Sequence, residues 1–353
     1  MDRKRAEKLE YDKIGEFEYH GAKYKRFEDG RITLVCGNPD EIDVLIPEGV
    51  TEIGYVAFKS FGIRSVVLPD SLQIINTYAF QSCNNLTSVE FGNGPLELKD
   101  CVFAYCKNLK EMDLKGVKRI GIQAFACCDK IHTVKLHEEL ESIEMDAFFD
   151  CPNLKEITLP PYILKLGYCS LDCVSVIHLD GKNLPKDIMY CATNKVNSFG
   201  LLIEMGGRKI ILPKSIKYKK ISHVEKLLNL FEIGKNNISS LYKFAVKKRN
   251  RQEVALEGYS LDPNPAAKDF LQRSFNVMAN RRETEEDFLS LFLKFRDEQL
   301  LTKTICENAL GIAQEKNWMQ ATAYVLEETK KYSKKDSKIS LNAPVFNGSD
   351  FCL

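Results

Sequence analysis

A short internal repeat constrains the fold of this chain more than any other feature. An Ala-Phe pair, or a close variant of it, marks each copy, and we call its second residue the marker. The six markers follow one another at a nearly constant step: Phe58, Phe80, Phe103, Phe125, Phe148 and Leu171. A unit of this length cannot bury its apolar side chains alone, so successive units must stack and share one core. The repeat therefore predicts a solenoid.

Apolar positions recur around each marker. An aliphatic residue stands five positions before it in every copy: Ile53, Ile75, Leu98, Ile120, Ile143 and Leu166. After the marker comes an apolar triplet such as Leu109, Met112 and Leu114, whose last two members alternate as in a short strand. We therefore expect one short strand per coil, with the marker ring inside the core. In three copies a glycine (Gly54, Gly121, Gly167) follows the aliphatic residue, where a tight turn is expected.

The chain has 12 cysteines, and five of them follow the markers in register: Cys83, Cys106, Cys128, Cys151 and Cys173. Equivalent positions in neighbouring coils lie about 5 Å apart. That geometry suits neither tetrahedral zinc ligation nor routine disulfide formation. Small buried thiols behave as apolar fillers. We predict free, protected thiols, and neither a metal nor a cofactor.

The combined pattern, I-G-x-x-A-F-x-x-C-x-x-L-x-x-V-x-L-P, resembles the BspA-type leucine-rich repeat family. The residues that carry the resemblance include Ile53-Gly54 with Ala57-Phe58, and Ile120-Gly121 with Ala124-Phe125 and Cys128. It covers about residues 45 to 180. The resemblance implies a recognition scaffold, in many members at the cell surface, with no catalytic residue encoded in the repeat.

The regions around the repeat differ from it in pattern. Residues 16 to 46 alternate around an Asp-Gly turn, as strands do, and residues 201 to 212 suggest two strands around Gly206-Gly207. The fold class we predict is an α+β repeat protein: a leucine-rich-repeat solenoid of short strands followed by an α-helical domain. Its predicted parts are an N-terminal helix and hairpin-like cap (1–44), a solenoid with a divergent last coil (45–220), a helical domain (221–332) and a flexible tail (333–353).

Helix signals support the third of these parts. Asn264-Pro265 forms an N-cap followed by proline, and Thr284 and Thr304 each precede an acidic residue at capping-box spacing. One amphipathic stripe runs through Phe288, Leu291, Phe292 and Phe295.

Charge and hydropathy narrow the class of protein. The net charge is +1, the first residues lack the apolar run of a signal peptide, and no apolar stretch is long enough to span a bilayer. We predict a cytoplasmic protein, while a surface or secreted location by a non-classical route stays open. A protein or peptide partner is favoured, nucleic acid and membrane are not, and a monomer is expected.

The charges are nevertheless unevenly distributed. Residues 45–180 hold 12 Lys+Arg against 18 Asp+Glu, and residues 181–220 hold 9 against 2. The basic runs at 214–220 and at Lys247-Lys248-Arg249 could contact nucleic acid or an acidic partner. A solvated junction that attracts acidic parts of the chain is the interpretation we favour, because no interleaved aromatic residues accompany these runs.

The leading hypothesis is a non-catalytic protein–protein interaction scaffold, because solenoids expose ordered rows of side chains and no catalytic motif occurs. The candidate partner-binding residues are the outward positions of the middle coils: Glu90, Glu111, Asp113, Lys135, Glu156 and Thr158. The alternative is an enzyme or nucleotide-binding activity in the helical domain. Its only support is the acid cluster Glu283, Glu285, Glu286 and Asp287, which a helix N-terminus also explains.

Overall fold

The computed structural model describes residues 14–232, 234 and 241–340. Between residues 33 and 205 the chain winds through about eight turns of a solenoid, and six helices follow. The predicted fold class is therefore confirmed. Compact packing divides the chain between Val254 and Ala255 into two units. The predicted domain boundaries stay predictions, and the predicted N-terminal helix at residues 1–13 lies outside the described residues.

The strands are short, as the length of one coil requires. They are β1 (Gly15–Tyr19), β2 (Ala22–Arg26), β3 (Ile32–Cys36), β4 (Asp43–Leu45), β5 (Glu52–Ile53), β6 (Ser65–Val67), β7 (Ile74–Ile75), β8 (Ser88–Glu90), β9 (Leu96–Leu98), β10 (Glu111–Asp113), β11 (Val117–Ile120), β12 (Thr133–Lys135), β13 (Ser142–Ile143), β14 (Glu156–Leu159), β15 (Lys165–Leu166), β16 (Val176–Leu179), β17 (Gly200–Met205) and β18 (Arg208–Pro213).

Two rows of strands run along the solenoid. One is a single nine-stranded sheet, in the order β1-β2-β3-β5-β7-β9-β11-β13-β15. The other row consists of three separate sheets, β4-β6-β8, β10-β12 and β14-β16-β17-β18. From β3 to β17, neighbouring strands within each sheet run parallel, because each coil advances the chain by one step in the same direction.

The marker rings form a continuous stack in the core. Phe58, Phe80, Phe103, Phe125 and Phe148 are all fully buried, with at most 1% of each exposed. Successive ring centroids lie 4.9, 5.1, 5.3 and 5.0 Å apart, and the ring planes are nearly parallel. The predicted burial and stacking of these rings are confirmed.

The cysteine ladder joins each coil to the one before it. The Cys83 thiol donates a hydrogen bond to the Phe58 carbonyl (3.0 Å), and Cys106 does the same to Phe80 (3.1 Å). Cys128 and Cys151 repeat the contact on the next two markers. All five ladder cysteines are free and buried, as predicted. Four of them are therefore hydrogen-bond donors as well as apolar fillers, a role that the sequence interpretation missed.

Residues in the left-handed region flank the markers on both sides, two positions away. They are Val56, Ser60, Tyr78, Ser82, Cys101, Tyr105, Gln123, Cys127, Asp146, Asp150 and Cys169. This conformation is unfavourable for residues with a side chain. It directs backbone N–H groups along the solenoid: Tyr78, Phe80 and Ser82 each donate to a carbonyl of the next coil. Each marker segment is thus a third ladder between coils.

The three glycines of the repeat begin the predicted tight turns. The carbonyl of Gly54, Gly121 or Gly167 accepts a hydrogen bond from the backbone N–H three residues later, although none of the three glycines has a positive φ angle. A Cβ atom on Gly167 would lie 2.3 Å from the Met145 backbone nitrogen, and one on Gly121 would lie 2.6 Å from the Lys99 carbonyl carbon. These glycines let the backbone of one coil approach the previous coil.

The residue just before the last marker is a buried serine. Ser170 stands where four earlier copies have alanine, is fully buried, and its hydroxyl has no hydrogen-bond partner among the described residues. We expect Ser170→Ala to raise the free energy of unfolding by about 1 kcal/mol, because an unpaired buried hydroxyl is costly. Urea unfolding checks this. Ser175→Ala is the control, since that hydroxyl donates to the Lys155 carbonyl (3.0 Å) and its loss should destabilise. A less stable Ser170→Ala variant would contradict the prediction.

Both ends of the solenoid are closed by antiparallel strands. β1, β2 and β3 form the predicted hairpin-like cap, and β17 and β18 form the predicted pair around Gly206-Gly207. The structure also adds a coil that the sequence interpretation had assigned to the cap. In it β4 pairs with β6, and Val44 aligns with Val66 of the following coil.

The helices are α1 (Ile221–Glu232), α2 (Lys248–Glu257), α3 (Pro265–Asn280), α4 (Glu285–Asp297), α5 (Lys303–Glu315) and α6 (Met319–Ser340), with short 3-10 segments at Ile188–Tyr190, Tyr218–Lys220 and Tyr242–Phe244. Asn264 and Thr284 cap α3 and α4 as predicted. The predicted cap at Thr304 is wrong, because Thr302 has the extended backbone and accepts from the Ile305 N–H.

In the second unit the predicted stripe Phe288, Leu291, Phe292 and Phe295 is buried. Helix α6 runs to Ser340, into the predicted tail, and residues 341–353 lie outside the described part of the chain. No described helix is both long enough and apolar enough to cross a membrane. The predicted cytoplasmic location stays a prediction.

Candidate functional site

All six candidate residues lie on one exposed surface of the solenoid. Strands β8, β10, β12 and β14 each bury their central valine, methionine or isoleucine and expose the residues on either side. We call this surface the strand face, defined by the six candidates Glu90, Glu111, Asp113, Lys135, Glu156 and Thr158, all of which are exposed. The alternation follows from the period of two in a strand.

Asp113 is the most constrained carboxylate of the strand face. It pairs in register with Lys135 on the next strand, with 3.3 Å between Oδ2 and Nζ, and its Oδ1 accepts a hydrogen bond from His137 Nε2. Partial burial by itself would raise the pKa of Asp113. The hydrogen bonds from His137 and Lys135, with their positive charges, outweigh burial and lower the pKa below its usual value. These contacts offset the repulsion between Asp113 and neighbouring carboxylates of the strand face.

Two further carboxylates of the strand face are less constrained. Glu111 makes no ion pair with any residue in the described part of the chain. Glu156 lies 3.9 Å from His178 Nε2, and His178 is held by Glu204 at 3.1 Å. Together with the exposed Glu90, these residues give the strand face a row of negative charge that Lys135 interrupts.

A depression of about 680 Å³ opens at one end of the strand face. It brings Glu90 and Asp113 together, and its wall also includes Asp43, Arg64 and Lys115. Arg64 forms an ion pair with Asp43, and Ser65 Oγ donates to the same carboxylate at 2.6 Å. Glu111, Lys135, Glu156 and Thr158 do not line this depression.

Sequence reasoning missed Asp43, Arg64 and Lys115 for identifiable reasons. Asp43 belongs to β4, whose coil has no marker before it, although Val44 and Ile46 precede Val66 and Leu68 by one repeat. Arg64 and Lys115 stand just outside their strands, so strand alternation does not single them out. The spacing of one repeat was the available signal for Asp43.

The acid cluster of the helical unit has structural contacts. Glu285 begins α4, and its Oε1 accepts a hydrogen bond from the Ala321 N–H in the first turn of α6 (2.7 Å). Thr284 caps α4 through the Asp287 N–H. Among the described residues no group of three or more His, Cys, Asp or Glu side chains is arranged to hold a metal ion. Helix capping therefore accounts for Glu285 and Thr284.

Stacked coils of short parallel strands around a shared apolar core define a solenoid repeat protein. Residues 51–175 match a family model described as the BspA type leucine-rich repeat region, in six copies. This part of the chain is thus a BspA-type leucine-rich repeat region, and the resemblance seen in the sequence is confirmed. The comparison with curated proteins gives no match.

Solved structures similar to this chain are bacterial leucine-rich repeat proteins. A leucine-rich cell surface protein from Faecalibacterium prausnitzii is 19% identical over 58% of this chain and 63% of its own, with a TM-score of 0.39. A leucine-rich repeat protein from Bacteroides capillosus is 26% identical over 35% of this chain and 99% of its own, with a TM-score of 0.32. The pneumococcal vaccine antigen PcpA is 21% identical over 57% of this chain and 55% of its own, with a TM-score of 0.42. The chain thus spans less than two thirds of the first of these proteins.

Proposed function

We propose that this chain is a non-catalytic interaction scaffold whose strand face binds a basic segment of a partner protein. The observation that carries the proposal is the row of exposed carboxylates at Glu90, Glu111 and Glu156, each of which lies on a short strand beside a buried residue. A basic segment would neutralise these charges and gain their long-range attraction. No second function is proposed for the helical unit, because the contacts of Glu285 and Thr284 have a structural explanation.

Asp113 differs from the other carboxylates of the strand face because it already has partners that an incoming segment would have to displace. Its present partners, Lys135 and His137, are both on the solenoid itself. An incoming arginine or lysine would compete with them for the same carboxylate oxygens. Binding there would therefore exchange one ion pair for another, whereas binding at Glu111 would create a new one.

The test replaces Glu111 and Asp113 by Asn and Ser. A partner is first captured by the full chain and identified by cross-linking, and its association is then followed at several salt concentrations. We expect the E111N/D113S variant to associate about tenfold more slowly and with weaker salt dependence, because charge governs the rate of encounter. The thermal midpoint should change little, because both side chains are exposed.

The matched control is E138N/E139S. Glu138 and Glu139 lie in the loop after β12, so this variant makes the same formal change in charge away from the strands. It should associate at nearly the wild-type rate. Equal rates for wild type and E111N/D113S would reject the strand face as the binding site.

A further inference from the structure

A second depression, of about 580 Å³, lies on the solenoid unit and shares no lining residue with the strand face. Its lining includes Lys195, Lys247 and Arg249, which come from two separate stretches of the chain. Because Val246 N–H donates to the Ser215 carbonyl (3.1 Å), the segment before α2 is held against the end of β18. The structure thus brings Lys247 and Arg249 to the same depression as Lys195.

The charged side chains that line this depression are all positive. The residues that line it, all in the described part of the chain, include no Asp or Glu. Lys195 Nζ makes only a long contact with the Thr193 carbonyl (3.5 Å), and the Arg249 guanidinium lies over the Phe199 ring at 5.5 Å from its centroid. No ion pair forms at Lys195, Lys247 or Arg249 within the described residues. Three cations in one place without a carboxylate repel one another.

The walls of the depression supply hydrogen-bonding and apolar groups. Asn250 Nδ2 donates to Ser215 Oγ at 2.8 Å, which fixes both side chains at the lining. Val196 and Val246 also line it, and both are strongly exposed for valine. Asp172 is buried outside this lining, and its carboxylate accepts three hydrogen bonds, one from Thr193 and two from Asn194.

We propose that this depression binds a small organic phosphate monoester. A phosphate dianion would be held by charge-assisted hydrogen bonds from Arg249, Lys247 and Lys195, and guanidinium geometry favours two-point contact with its oxygens. The exposed valines and the Phe199 ring would contact the organic part of the ligand. The volume falls in the range of about 300 to 1,000 Å³ that small-molecule sites occupy.

The experiment titrates the full chain with phenyl phosphate by calorimetry, with phenol and inorganic sulfate as comparison ligands. We expect saturable binding of phenyl phosphate, no binding of phenol, and weaker binding of sulfate, which lacks the apolar part. Arg249→Ala and Lys247→Ala should each lower the affinity about tenfold or more, the usual effect of losing one charge-assisted hydrogen bond. Arg249→Lys should lose less affinity for phenyl phosphate than Arg249→Ala, because the positive charge remains.

Lys248→Ala is the matched control, because Lys248 is exposed on the same helix but does not line the depression. It should bind phenyl phosphate as the wild type does, and thermal midpoints will show that all variants are folded. An equal loss in Lys248→Ala, equal affinity for sulfate, or no saturable binding would overturn the proposal. A phosphoserine peptide is titrated as well, and its binding without binding of phenyl phosphate would also overturn the proposal, because the ligand would then be a protein segment.

Discussion

Phe125→Ala is expected to lower the free energy of unfolding by about 3 to 5 kcal/mol, the range for a large ring lost from a packed core. Phe125 is fully buried and lies between the rings of Phe103 at 5.3 Å and Phe148 at 5.0 Å. Its removal opens a cavity in the middle of the stack. Because stability in a repeat array is close to a sum of neighbour interfaces, denaturant unfolding of the variant should separate into two transitions.

The matched control for this change is Phe149→Ala. Phe149 adjoins the buried Phe148 in sequence but is 40% exposed, so it should lose far less stability. Circular dichroism and intrinsic fluorescence, recorded over the same urea series, measure the unfolding of both variants. A similar loss in Phe125→Ala and Phe149→Ala would show that the stack does not hold the coils together.

Alkylation at pH 8 should label the ladder cysteines more slowly than an ordinary thiol, by roughly a thousandfold at Cys83 and roughly a hundredfold at Cys173. Burial raises the pKa of Cys83 from 9.0 to about 12, so the reactive thiolate is correspondingly scarce. The same cause raises the pKa of Cys173 to about 11 and that of Cys106 well above its usual value. Because these folded-state values exceed the unfolded value of 9.0, the thiols stabilise the fold below that pH, and this contribution is lost as pH rises toward 12.

Mass spectrometry after timed exposure to iodoacetamide measures the labelling of each cysteine. Cys36, which is half-buried in β3, serves as the faster reference within the described residues, and urea-unfolded protein should label at every position. Cys352, which we also expect from the sequence to label quickly, lies outside the described part of the chain. Rapid labelling of Cys83 or Cys106 in the folded protein, or a disulfide between ladder positions, would contradict the prediction.

The buried part of the solenoid could be predicted because every core ladder must recur once per coil. The markers and the ladder cysteines therefore identified the stack directly. The contacts of the strand face could not be predicted in the same way. His137 contacts Asp113 of the previous coil at an offset different from the repeat, because the histidine lies just beyond its strand. Such pairings depend on side-chain reach rather than on periodicity.

The basic depression shows a second limit of sequence reasoning. Lys247 and Arg249 attracted attention as part of a charge run, while Lys195 stood alone in a segment without a pattern. Their proximity depends on the bonds that join Ser215 to Val246 and Asn250. Neither the backbone nor the side-chain bond has a sequence signature. The favoured interpretation of these lysines as a solvated junction thus took no account of their convergence on one depression.

The two strand rows of the solenoid differ in continuity, because one is a single sheet and the other is interrupted twice. The nine-stranded sheet is an unbroken spine, whereas in the described part of the chain no strand ladder pairs β8 with β10 or β12 with β14. At these two seams the coils are joined by the nine-stranded sheet and by backbone hydrogen bonds between marker segments. Glu90 lies on one segment, Glu111, Asp113 and Lys135 on the second, and Glu156 and Thr158 on the third. The strand face is thus divided into three segments, whose relative positions depend on contacts elsewhere in the coils.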